Sequence, residues 1–193
     1  METTTNQLSD ETREDIFDLL LMAQRSNDSD ASRWRLIDAS VRRFAPEAMR
    51  HAGLVSHAEV LEALPPVTAA NAYDAARAAD AAADAARDVF YNHRPTVGPV
   101  DSESWRAAFA IDAAVSAARS AARAADLEAD SPKYAPDPVC RVHVMELAAD
   151  AAVRAADAAE LGGKDVNKFV VDVVIPVTVD LMRDPTKYSG GST

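Results

Sequence analysis

Cysteine occurs once in this chain of 193 residues, at Cys140, so no intramolecular disulfide and no cysteine-rich metal site can form. Following Pro138 and Val139 at the start of a helical pattern, Cys140 reads as a small buried filler. Glycine is also scarce, at six residues, and none forms a phosphate-binding loop, a dinucleotide fingerprint or a nucleophile elbow. Nowhere do apolar residues run to the roughly 18 that a membrane span needs. The opening METTTNQLSDETRED is polar and acidic where a secretory leader is basic and then apolar, which predicts a cytoplasmic protein. Histidines do not recur in the Glu-x-x-His pairs of carboxylate-bridged metal bundles: His143-Val-Met-Glu146 has the reverse order, and Glu47 with His51 stands alone as a capping or surface pair. The expectation is a chain with no catalytic residue, no metal and no cofactor, hence not an enzyme.

Lysine is nearly missing too, and the charge balance is acidic. Twenty basic residues against thirty-one acidic ones leave a net charge of −11, the wrong sign for wrapping nucleic acid or lying on an anionic membrane. Such a field keeps an alanine-rich protein soluble and attracts a basic protein partner. One local reversal exists. Residues 1–30 carry eight acids and two arginines, whereas 31–54 carry Arg33, Arg35, Arg42, Arg43 and Arg50 against Asp38 and Glu47. The expected use of that contrast is complementary packing of the first helix beside the second, with a nucleic-acid patch disfavoured by the surrounding negative charge.

What the chain has in abundance is alanine at helical spacing. The segment LSDETREDIFDLLLMAQ places Ile16, Leu19, Leu20 and Ala23 at helical intervals, with acids in its first turns. ASRWRLIDASVRRF resumes the pattern from a Ser29 or Asp30 cap, with Trp34, Ile37, Val41 and Phe44 on one side. Pro46 starts a short piece that Gly53 ends; Ser56 and Glu59 match a capping box, and Pro65-Pro66 stops the helix that follows. Three long alanine-rich helices come next: one from about Thr68 to Tyr91, one over SWRAAFAIDAAVSAARSAARAADLE, and one from an Asp137 cap with Pro138 in its first turn to Gly162-Gly163. DVNKFVVDVVIPVTVDLMRD is strand-like in its β-branched content, but Asp165, Lys168, Asp172, Pro176 and Asp180 recur every three or four residues, so it reads as a helix kinked near Pro176.

On the three long helices the charges fall in stripes. Asp74, Arg77, Asp80, Asp84, Arg87 and Asp88 mark the first; Asp112, Ser116, Arg119, Ser120, Arg123 and Asp126 the second; Glu146, Asp150, Arg154, Asp157 and Glu160 the third. Methyl groups occupy the remaining surface. Alanine loses no side-chain entropy on entering a helix, but each buried methyl contributes only about 0.5–1 kcal/mol, so stability must come from close backbone approach. Trp34, Phe44, Leu61, Leu64, Phe90, Trp105, Phe109, Leu147 and the valine-rich last helix are expected to fill the remaining layers. The predicted fold is all-α: a compact bundle of six to seven helices in a single domain over residues 8–184, with mobile tails at 1–7 and 185–193. Such an interior leaves little room for a cofactor pocket, so function is expected outside. The candidate partner-binding residues are Asp80, Asp84 and Asp88, with Asp150 and Asp157 on another helix, and Arg94 in the loop leading to Trp105.

The order of segments resembles a family of alanine-rich, all-α immunity proteins found beside bacterial polymorphic toxins. It lies in Trp34 with Asp38-Ala39 in an early helix, the alanine-rich helices, VCRVHV running into AADAAVRAADAA, and VIPVTVDLM near the end, over roughly residues 31–184. The resemblance implies a non-catalytic protein that binds and silences a cognate toxin, and it transfers no functional residue. Two other classes suit the same surface: a structural or regulatory helical assembly protein, phage-borne for example, and an acidic mimic of nucleic acid.

Overall fold

A computed structural model describes residues 9–27, 29–93, 95, 102–130 and 138–183. Seven helical rods make up the described residues, with no strand: α1 (Asp10–Ser26), α2 (residues 30–51), α3 (Val55–Glu62), α4 (Ala72–His93), α5 (Glu103–Asp130), α6 (Pro138–Leu161) and α7 (residues 166–182). The all-α bundle expected from the sequence is what forms. The expected tails, the Asp137 cap and the Cys140 side chain lie outside the described residues.

Helix starts follow local chemistry. Ser9 accepts the Thr12 N–H at 3.1 Å to cap α1, Ser29 accepts that of Ser32 at 3.1 Å to cap α2, and Asp165 accepts those of Asn167 and Lys168 to cap α7. Two expected starts differ. The Ser56–Glu59 capping box does not form: α3 begins at Val55, two residues earlier than a Ser56 cap would set, after Leu54 and with no side-chain cap. Thr68 does not open α4, because the Asn71 side chain takes the Thr68 N–H at 2.7 Å and donates to the Pro66 carbonyl, holding 66–71 as a turn.

Pro46 and Pro176 do not break their helices. Each follows a five-residue π turn, Ser40–Phe44 in α2 and Val170–Val174 in α7, in which the N–H of Ala45 reaches Ser40 O and that of Ile175 reaches Val170 O. A proline ring collides with the carbonyl four residues back, and a widened turn moves that carbonyl aside. Pro46 therefore sits in the first turn of the short α segment Ala45–His51 that was expected, joined to α2 without a break, and Pro176 sits likewise in the first turn of Ile175–Met182.

Packing centres on α5. It lies between α4 and α6, its two most extensive neighbours, and α2 crosses α5 and α6 from one side. Tyr73 early in α4 bonds Asp130 at the end of α5 while Asp84 faces Arg119 at mid-helix, so α4 and α5 are antiparallel. On α5 the buried set is almost entirely Ala108, Ala110, Ala113, Ala114, Ala117, Ala118, Ala121, Ala122, Ala124 and Ala125. The bulk comes from α2, whose Leu36, Ile37, Val41, Phe44 and Met49 are all fully buried. Phe109, expected among the filling residues, is 37% exposed, and Trp34, Leu64, Phe90, Trp105 and Leu147 are half-buried. α1 packs against α6 and α7, completing the bundle.

Where α2 and α6 end, they meet. Both helices close in the same way: Leu54 N–H reaches Met49 O at 2.7 Å across Gly53, and Lys164 N–H reaches Ala159 O at 2.8 Å across Gly163. Gly53 and Gly163 have φ of 79° and 68°, the left-handed geometry this stop requires. Gly162 answers to a different constraint, since a Cβ there would lie 2.5 Å from the His51 carbonyl oxygen. Gly162→Ala is expected to lower stability by about 1–3 kcal/mol through that backbone collision. Gly53→Ala, with open space around it, is expected to cost about 1 kcal/mol from φ alone. Urea melts of the two variants check the order; equal losses would show that α2 and α6 do not touch there.

Candidate functional site

The arginines of α2 are the first candidates, and they prove to be braces. Arg33, buried, points its Nε at Glu128 Oε1 of α5 at 3.4 Å, and it also pairs with Asp30. Arg35 donates to the carbonyls of Asp180 and Arg183, 2.9 Å each, where the unsatisfied end of the α7 dipole lies. Arg42 donates to Leu64 O at 2.9 Å and pairs with Asp38, whose Oδ1 also accepts the Val67 N–H at 2.7 Å. Arg50 donates to Glu62 at 2.9 Å. Four arginines thus fasten α2 to α5, to α7, to the chain after α3 and to α3 itself. Arg43, exposed, is the one arginine of this group with neither hydrogen bond nor ion pair among the described residues. Among the described residues the expected pairing of these arginines with the acids of α1 does not occur: Arg33 and Arg35 reach α5 and α7, and Arg42 and Arg50 are taken by Asp38, the Leu64 carbonyl and Glu62.

An open groove of about 240 Å³ runs between α2 and α7, lined by Trp34, Arg35, Arg43, Val67, Asp180 and Leu181 among others. Its volume falls short of the roughly 300–1,000 Å³ usual for small-molecule sites.

The sequence-predicted acids separate into two groups. Asp80, Asp84 and Asp88 are exposed along one edge of α4. Asp84 accepts from Arg87 at 2.8 Å and from Arg119 of α5 at 3.3 Å, whereas Asp80 and Asp88 have no ion pair among the described residues. The Asp80 carboxyl is held above the usual carboxylate range by partial burial first, then by Asp84, with Arg119 opposing and Asp126 adding.

On α6 the acids are occupied. Asp150, half-buried, accepts from Ser120 Oγ at 2.7 Å and lies 3.4 Å from Arg154 Nε. Asp157 is 6% exposed, against its expected place on a wet stripe. It binds Arg13 Nε of α1 at 2.8 Å and faces Arg154 at 3.6 Å. Asp150 and Asp157 therefore brace α5 to α6 and α6 to α1, so that of the acids predicted from the sequence only those on the α4 edge stay available. No signal within α6 distinguishes Asp157, because its partner Arg13 is 144 residues earlier. Arg94 lies outside the described residues.

His51 and Glu47 make the remaining cluster. The His51 ring stands edge-on to Phe169 with centroids 6.2 Å apart, its Nε2 is 3.7 Å from Glu47, and burial, then the charge of Lys164, lowers its pKa. Burial raises that of Glu47, opposed by Arg50 and aided by Glu62. Among the described residues no group of three His, Cys, Asp or Glu side chains is placed to hold a metal ion, and no helix is long and apolar enough to cross a membrane.

Compared with family models, with curated proteins and with solved structures, the chain matches none of them.

The brace between α2 and α5 gives a direct test. Arg33→Ala leaves Glu128 charged and buried, and is expected to cost about 3–5 kcal/mol in denaturant unfolding. The double variant Arg33→Met/Glu128→Leu is expected to recover most of it. A loss under about 1 kcal/mol in the single variant, the range of an exposed pair, would place this ion pair in water.

Proposed function

We propose that this chain is a non-catalytic helical binding protein of immunity or antitoxin type, which neutralises a protein partner by covering a basic surface. The observation that supports it most is the α4 edge. Successive carboxylates at Asp80, Asp84 and Asp88 stand about 6 Å apart, one helical turn, on a rod whose opposite face is buried against α5. A partner's arginines or lysines meet these charges on a support that cannot collapse away from them. Of the three, Asp84 alone is in an ion pair among the described residues, with Arg87 and Arg119. Opposite fields steer the encounter, and the apolar and aromatic side chains at the surface then supply contact area. No step of bond making or breaking is required: silencing follows from occupying the surface through which a toxin engages its own target.

Coexpression with the toxic product of an adjacent gene tests this reading. Protection of growth is expected with the natural chain and loss of protection with Asp80→Asn/Asp84→Asn/Asp88→Asn, which should weaken the isolated complex by at least about tenfold at low salt and by less as salt rises. Circular dichroism of the variant should be unchanged. Absence of both binding and protection would remove the proposal, and concentration-dependent self-association in light scattering would favour an assembly protein.

A further inference from the structure

α7 is apolar on both sides, and the packed core accounts for one of them. Phe169, Val174, Val177 and Leu181 are buried. On the other side Val171, Ile175 and Val179 recur every four residues, followed by Met182, and they are 59%, 43%, 40% and 50% exposed. α1 packs beside α7, tied to it where Asn27 Nδ2 donates to the Leu181 and Arg183 carbonyls at 3.1 and 3.2 Å. It adds Leu19 and Met22, 37% and 67% exposed. Val171, Ile175, Val179 and Met182 make one exposed apolar row along α7, with Leu19 and Met22 exposed on the helix packed beside it, and an apolar row flanked by acids is the form of a docking site.

The rim selects the occupant. Glu11, Glu14, Asp15 and Asp18 are exposed on α1 and make no ion pair among the described residues, while Asp172 and Asp180 on α7 are each matched once, by Lys168 and Arg183. A second copy would bring the same four free carboxylates against these, because a two-fold contact pairs like surface with like. An anionic bilayer is repelled for the same reason. A helix with an apolar stripe and basic flanks satisfies both parts: its stripe covers the Val171–Met182 row, roughly 16 Å or three turns long, and its lysines or arginines meet the α1 acids. Unbranched Met22 and Met182 adapt to whatever apolar side chain is presented.

We propose that the joint face of α1 and α7 docks a cationic amphipathic helix of a protein partner. This rests on the binding-protein reading above but uses a surface separate from the α4 edge.

A probe peptide tests it without knowledge of the natural partner. Full-length protein carrying 13C-methyl methionine is titrated with a synthetic Leu/Lys amphipathic helix of about five turns and, separately, with a peptide of the same composition whose order has no apolar stripe. The expected result is movement of the Met22 and Met182 methyl signals with the striped peptide, none at buried Met49 and Met145, and binding weakened at least about tenfold by Ile175→Glu and by Met22→Glu. Both positions are exposed, and circular dichroism confirms that the variants fold. Equal binding of the two peptides, signals at Met22 and Met182 that do not move, indifference to both substitutions, or dimerisation that buries the two methionines without peptide would each overturn the proposal. Because no cognate toxin is used, this assay can fail while coexpression protects, or succeed while it does not.

Discussion

Helix α5 has neighbours along most of its circumference, and this is possible because the side chains turned toward them are methyl groups. Ala113, Ala114, Ala117, Ala118, Ala121, Ala122, Ala124 and Ala125 are all buried on that one rod. Any larger residue in the contact would force the backbones apart and spread the strain through a tightly packed interior. Close approach is the compensation for how little each methyl contributes, since it brings backbone atoms of adjacent helices into dispersion contact. The three alanine-rich helices then act as a floor, and α2 supplies the volume they lack through Leu36, Ile37, Val41, Phe44 and Met49. Bulk and smallness are thus placed on opposite partners.

That division leaves the polar work to side chains with reach. Arg33, Arg35, Arg42 and Arg50 extend from α2 to other elements, and Asp150 and Asp157 receive side chains from α5 and α1. A line of polar contacts crosses the alanine helices: Arg87, Asp84 and Arg119, then Ser120, Asp150, Arg154, Asp157 and Arg13. Much of the charge that a linear reading assigns to solubility or recognition is committed to holding the bundle together. The acids left uncommitted, on the α4 edge and along α1, carry the functional proposals.

Local features of the fold were legible in the residue order. Helical spacing placed the long rods, Ser29 marked the start of α2, and the glycines after α2 and α6 marked their stops, because each depends on neighbours within a few residues. Partner identity was not legible. The stripe containing Asp150 and Asp157 has the same period as the one containing Asp80 and Asp84, yet a buried brace and an exposed edge result, decided by whether an arginine from a distant segment arrives. The π turns that lead into Pro46 and Pro176 were not legible either, since nothing in SVRRFAP or VVDVVIP announces them. The candidate site was readable as a row of acids on one helix, and the apolar outer face of α7 only as an excess of valine that blurred the distinction between strand and helix.

An interior without bulky flanks has a thermodynamic signature: α5 cannot open without releasing α4, α6 and α2 together. Native-state hydrogen exchange across the alanine amides of residues 113–125 measures this most directly. The account predicts that these amides exchange only with global unfolding, at the same free energy and denaturant dependence as the α2 amides around Phe44. Exchange of α5 through smaller openings, with α2 still protected, would contradict it.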